Sequence, residues 1–77
     1  MPRYFFNTED GHAISDEDGD DLPDTASARA MAVDVLAELL PLQKEHLLGE
    51  GSYSVTVVEE GRGPLYRITV QGGSLDG

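Results

Sequence analysis

Apolar positions change their spacing twice along this 77-residue chain. A run of aromatic residues stands near the start, apolar positions recur every three or four residues over 25–48, and they alternate over 53–70. Alternation is typical of strands, whereas a spacing of three to four is typical of a helix. The predicted order is ββαββ. We expect an α+β fold, with a three- to four-stranded antiparallel sheet and one long helix, kinked at Pro41, packed on one face.

The first hairpin is predicted from strands at 2–8 and 12–15 joined by Asp10-Gly11. This dipeptide favours a two-residue turn, because both central positions then adopt positive φ. In that register Thr8 pairs with Ala13. Apolar side chains lie on both faces of the hairpin, so neither face is expected to be fully solvated.

The central helix is predicted over 25–48. Asp24 is a suitable N-cap, because its carboxylate can accept hydrogen bonds from free backbone N–H groups of the first turn. Pro41 has no N–H group and clashes with the preceding turn, which predicts a kink or a break. Gly49 is expected to end the helix. The apolar stripe is wide; it consists of Ala28, Met31, Ala32, Val35, Leu39 and Leu42, flanked by Val33, Leu36, Leu40 and Leu47.

The second hairpin is predicted from strands at 53–59 and 65–70, with Gly61-Arg62-Gly63 as the turn. A chain of this length is expected to form one domain. We therefore predict a single α+β domain over 1–70 and a flexible tail over 71–77. Since the apolar surface exceeds what one helix on one sheet covers, a homodimer is expected.

Composition excludes several kinds of chemistry. The chain has no cysteine, which rules out disulfides, thiolate metal sites and cysteine nucleophiles. His12 and His46 have no partner in a catalytic motif, and no glycine-rich phosphate loop occurs. We expect a protein that is not an enzyme and needs no cofactor. No apolar run approaches the roughly 20 residues of a membrane span, so a cytoplasmic location is expected.

The net charge of −10 is concentrated in one segment. Residues 9–24 contain eight acidic residues and no basic one. Such charge disfavours direct binding to nucleic acid or membranes and favours a basic protein surface. We predict a non-enzymatic protein–protein interaction module, and in a sharper form an inhibitor that mimics the charge of nucleic acid. The predicted partner-binding residues are Asp16, Glu17, Asp18, Asp20 and Asp21.

Calcium binding is the alternative function of this segment. Its candidate ligands stand at positions 1, 3, 5 and 9, as in the calcium loops of thrombospondin-type repeats: Asp16, Asp18, Asp20 and Asp24. Calcium needs six to eight oxygen ligands, which alternate aspartates on a tight loop can supply. Two positions depart from known loops, since Asp21 stands where a glycine is usual and Ser27 replaces the closing glutamate of an EF-hand. A solvated loop with a turn at Gly19 is the other interpretation.

The opening MPRYFF, the pattern D-x-x-G-x-x-L-P-D over 16–24 and the following Ala28-Arg29 resemble a family of small uncharacterised proteins common in alphaproteobacteria. The similarity is strongest over 1–36. It implies a bacterial context and a shared fold, but no activity. It also implies a structural framework of Asp16, Gly19, Pro23 and Asp24, with the additional acids Asp18, Asp20 and Asp21 particular to this chain.

Overall fold

The structure, a computed structural model, describes residues 1–76. It confirms an α+β fold in which helical segments pack on one face of an antiparallel sheet of five strands. The elements are β1 (Arg3–Glu9), β2 (Ala13–Ile14), β3 (Asp20–Asp21), α1 (Thr25–Leu39), a 3-10 turn (Leu40–Gln43), α2 (Lys44–Leu48), β4 (Ser52–Glu59) and β5 (Gly63–Gln71).

The two edges of the sheet differ in construction. β1 and β4 lie in the middle, β5 forms one edge, and the short strands β2 and β3 share the other edge by pairing with opposite ends of β1. β3 arises in a segment that the sequence predicts to be a loop. Its two residues pair with Arg3 and Tyr4. The acidic segment is therefore attached to the sheet.

The predicted register of the first hairpin is wrong by one residue. Thr8 pairs with Ile14, and Glu9 pairs with Ala13, which leaves a loop of three residues. The side chain of Asp10 causes this wider loop, since its Oδ1 accepts a hydrogen bond from His12 N at 3.2 Å. An aspartate that binds the backbone two residues ahead forms a turn of its own, and this turn replaces the two-residue turn.

The predicted helix start and the predicted break at Pro41 are both confirmed. Asp24 Oδ1 accepts a hydrogen bond from Ser27 N at 2.8 Å, and the 3-10 turn that contains Pro41 separates α1 from α2. A 3-10 turn has three residues per turn instead of 3.6, so the side chains within it do not continue the apolar stripe predicted for an α-helix. As a result Leu42 is 77% exposed, although the sequence places it on the apolar face.

The core lies between α1 and the sheet. Small alanines on α1 allow the helix to approach the strands closely, and aromatic and β-branched residues of the sheet fill the remaining space. The buried apolar residues are Tyr4, Phe6, Ala28, Ala32, Leu36, Tyr53, Val55 and Val57.

The end of α2 is fixed against the ends of β4 and β5. Gly49 ends the helix as predicted, and Glu50 then adopts a positive φ of 66°. A Cβ atom at Gly51 would collide with the His46 ring, and one at Gly72 would collide with the backbone of Leu47. Glycine is therefore needed at both positions for this close approach.

The chain continues past β5 with further backbone contacts. β5 extends to Gln71, one residue beyond the predicted end of the domain. Gly72 N donates to Gly51 O at 3.1 Å, and Ser74 N donates to a carboxylate oxygen of Glu50 at 3.0 Å. Flexibility of the tail over 71–77 stays a prediction, and Gly77 lies outside the described residues.

Candidate functional site

The candidate site is the segment 16–24, which runs along the outer edge of β1 and is called the acidic strap here. Its middle forms β3, and Leu22 N donates to Pro2 O at 3.1 Å. Leu22 is half-buried against the core. The strap is thus hydrogen-bonded to β1 and packs on the core through Leu22, while six of its nine residues stay exposed to solvent.

Asp16 joins the strap to β1. Its carboxylate accepts hydrogen bonds from Phe6 N (3.2 Å), Asp18 N (3.2 Å) and Gly19 N (3.1 Å), while Asp16 N donates to Asn7 Oδ1 at 2.9 Å. These contacts fill the gap on the β1 edge between β2 and β3. Burial alone would raise the pKa of Asp16, but the three backbone N–H donors stabilise the charged form and lower the pKa overall.

Gly19 allows the strap to lie flat on the sheet. It adopts a φ of 73°, and a Cβ atom there would come within 2.9 Å of the Phe5 ring and of Tyr4 O. A side chain at this position would therefore push the strap away from β1. Together with Asp16, this explains why the motif has an aspartate and a glycine three residues apart.

Arg3 is distant from the strap in sequence, but in the fold its positive charge lies beside the strap. Its Nη1 donates to Asp18 O at 2.5 Å, and its guanidinium lies 3.5 Å from the carboxylate of Asp21. The side chains of Arg3 and Asp21 are 41% and 51% exposed, so the ion pair itself adds little stability. Its main effect is to reduce the negative charge at one end of the strap.

Three of the five predicted partner-binding residues are exposed, and their carboxylates take no part in the contacts of Asp16 and Arg3: Glu17, Asp18 and Asp20. Glu9 is exposed at the opposite end of the same edge. The edge therefore presents negative charge along the length of β1, about 20 Å for a strand of this size.

The predicted calcium ligands are not brought together into a metal site. Within the part of the chain that the structure describes, residues 1–76, no three histidine, aspartate or glutamate side chains form a group that could hold a metal ion. Two of the four candidates bind backbone N–H groups instead. Asp16 binds the β1 edge, and Asp24 caps α1, where the hydrogen bonds from Ser27 lower the pKa of Asp24.

Positive charge collects on the opposite side of the sheet. Residues 61–75 contain two arginines, Arg62 and Arg67, and no acidic residue. The guanidinium of Arg29 on α1 lies 5.1 Å from the ring centre of Tyr66 in β5. Lys44 lines a groove beside the end of β5. The domain is thus electrically asymmetric across its sheet, since the β1 edge is acidic and β5 contains no acidic residue.

A shallow depression of about 290 Å³ lies beside the acidic edge. Its lining includes Glu9 and Arg67, together with Asn7, Thr56 and Val58. Arg67 Nε donates to Thr56 Oγ1 at 2.8 Å, which holds the guanidinium at one wall. The depression opens beside the exposed Ile14 and belongs to the sheet surface next to β2.

Comparison with known proteins gives a family but no activity. A family model described as a domain of unknown function (DUF6894) matches residues 3–71, which include all five strands and both helices. This confirms the expectation of an uncharacterised domain family. No curated protein and no solved structure matches the chain. Among residues 1–76, none of the helices is long and apolar enough to cross a membrane.

Proposed function

The chain belongs to the DUF6894 family of domains of unknown function, and we propose that it is a non-enzymatic interaction module that binds a basic protein surface through the acidic strap. One observation carries the proposal: the strap holds its exposed carboxylates on a backbone fixed by Asp16 and Gly19. A surface ordered before binding loses less conformational entropy when the partner arrives.

Charge also favours this kind of partner. The strap contributes long-range attraction toward a basic surface, and the same charge repels nucleic acid and anionic membranes. A row of carboxylates on a sheet edge resembles the charge of a phosphate backbone. The sharper form of the proposal is therefore an inhibitor that covers the nucleic-acid-binding surface of a partner protein.

A bacterial cytoplasm is the proposed location. The absence of cysteine suits a reducing compartment, and the resemblance of the first 36 residues supports a bacterial context.

The test compares two variants of equal net charge. In the strap variant, three exposed acids of the strap are neutralised: Glu17→Gln, Asp18→Asn and Asp20→Asn. In the helix variant, three acids of the helical region are neutralised: Asp34→Asn, Glu38→Gln and Glu45→Gln. Each variant removes three of the fifteen acidic residues of the full chain.

Each tagged protein is used to capture partners from a bacterial lysate at low and high salt. We expect the wild type and the helix variant to retain the same basic protein, with capture weakening as salt rises. The strap variant should lose it. Equal loss in both variants would show that only net charge matters, and retention by the strap variant would contradict the proposal.

Calcium coordination by the strap remains the alternative, and titration calorimetry on the full chain separates it. A saturable heat with one ion per chain, lost when Asp20 is replaced by asparagine, would support a cation-binding function. The absence of heat at millimolar calcium would remove this alternative.

A further inference from the structure

The second edge of the sheet, β5, is long and uncovered. Its nine residues pair with β4 alone within residues 1–76, which leaves about 30 Å of outward-facing backbone without a strand partner. Proteins usually protect such edges with proline, charge or a bulge. Here Pro64 and the irregular pairing at Val57/Val58 protect only the first residues of β5. Residues 65–71 stay open to an additional strand.

The opposite edge cannot provide that strand. β2 and β3 occupy the two ends of β1, and Asp16 binds the backbone of Phe6 between them. Pairing of β5 with β1 of the next molecule is therefore blocked, which prevents an open fibre. The edge strands β2 and β3 have only two residues each, so a long strand pairing between two copies has to join β5 to β5, and this arrangement closes as a two-fold dimer.

Charge distribution also favours a second copy at this edge. Each chain carries a net charge of −10, yet residues 61–75 contain no acidic residue. The acidic strap lies at the far side of the sheet, three strand spacings or about 14 Å from β5. Pairing through β5 thus keeps the acidic straps of the two copies far apart.

The side chains of β5 indicate where along the strand the two-fold axis of such a dimer would lie. Arg67 is the middle residue of β5, so an axis at Arg67 would place two like charges opposite each other. An axis between Ile68 and Val70 avoids this contact and brings apolar residues of the two copies together. An apolar groove of about 580 Å³, lined by Leu47, Leu48 and Val70 among others, borders the same part of the strand.

We propose that two copies of this chain pair their β5 strands antiparallel around an axis near Ile68–Val70. The dimer contains one continuous sheet, with an acidic strap at each outer end. The grooves beside β5 lie at the junction, where the second copy covers them. This inference does not depend on the proposed function, because the dimer stands even if the strap binds nothing.

The first test uses two leucines of nearly equal exposure. Leu48 lies in the groove and is 78% exposed, whereas Leu42 lies outside the groove lining and is 77% exposed. Sedimentation equilibrium should give twice the chain mass of 8.3 kDa for the wild type. Leu48→Glu should weaken the dimer about tenfold, and Leu42→Glu should leave it nearly unchanged. A wild type that remains monomeric at millimolar concentration would overturn the proposal.

The second test detects contact between the two copies by chemical cross-linking. Because the chain has no cysteine, a single introduced cysteine reports which surfaces meet. Thr69→Cys lies on exposed β5, and Asp20→Cys on the exposed strap is its control. A short bis-maleimide should link two copies through Thr69→Cys but not through Asp20→Cys. Equal cross-linking of both, or of the strap variant alone, would show that the copies meet elsewhere.

Discussion

Replacing Asp16 by alanine removes the group that joins the acidic strap to β1. Three backbone N–H groups then lose their acceptor: those of Phe6, Asp18 and Gly19. Water readily replaces the acceptor at the exposed Asp18 amide, while the bonds to Phe6 and Gly19 are partly buried. A hydrogen bond to a charged group contributes about 1.5–3 kcal/mol, and the two partly buried bonds share the charge of one carboxylate, so we expect a loss of about 3 kcal/mol.

The assay is urea and thermal unfolding of Asp16→Ala beside Asp18→Ala. In a domain of this size, 3 kcal/mol corresponds to a fall in Tm of about 12–24 °C. The carboxylate of Asp18 is exposed, so its removal should change the free energy of unfolding by less than about 0.5 kcal/mol. Equal stability of the two variants would refute the role assigned to Asp16.

The pH dependence of unfolding, compared between the wild type and Asp16→Ala, gives a second result. The pKa of Asp16 is lowered in the folded chain, so its stabilising effect is fully present above the unfolded-state pKa of about 3.9. The effect is lost as pH falls through the lower, folded pKa. The difference in unfolding free energy between the wild type and Asp16→Ala should therefore shrink below about pH 4. A difference that stays constant down to acidic pH would contradict this explanation.

Three further results are expected. Gly19→Ala should destabilise the fold by about 2 kcal/mol more than Gly11→Ala in urea unfolding. Both glycines have positive φ, but only Gly19 is in close contact with the Phe5 ring. Equal losses in the two variants would contradict this packing explanation. Asp24→Ala should lower the Tm through loss of the cap to Ser27 N, and thermal unfolding measures it. Millimolar calcium should leave the Tm unchanged, since the strap carboxylates do not converge; a saturable rise in Tm would favour the calcium alternative.

Features that depend on nearby residues were predictable from the sequence. The helix start at Asp24, the break at Pro41 and the long strands follow from local spacing and from the chemistry of single residues. The hairpin register was not predictable in this way. A carboxylate of Asp10 that binds the backbone of His12 competes with the Asp-Gly turn, and the sequence does not show which of the two prevails.

The candidate site depends on contacts between distant residues, and these were largely missed. Arg3 reaches Asp21 across eighteen positions, so counting charges within 9–24 overlooks it. Asp16 was predicted to face a partner or a metal ion, but its carboxylate binds the backbone of β1. One signal did point to this structural role: the resemblance pattern places an aspartate and a glycine three residues apart. The geometry of Asp16 and Gly19 gives that spacing a physical reason.

Amide hydrogen exchange of the strap tests most directly whether its charges are held in a fixed position. The amides of Phe6, Gly19 and Leu22 are all hydrogen-bonded through the strap. NMR should show slow exchange at these amides in the wild type and rapid exchange at all three in Asp16→Ala. If the wild-type amides of Gly19 and Leu22 exchanged as fast as that of the exposed Leu75, the strap would be a solvated loop, and its proposed role as a preformed binding edge would be contradicted.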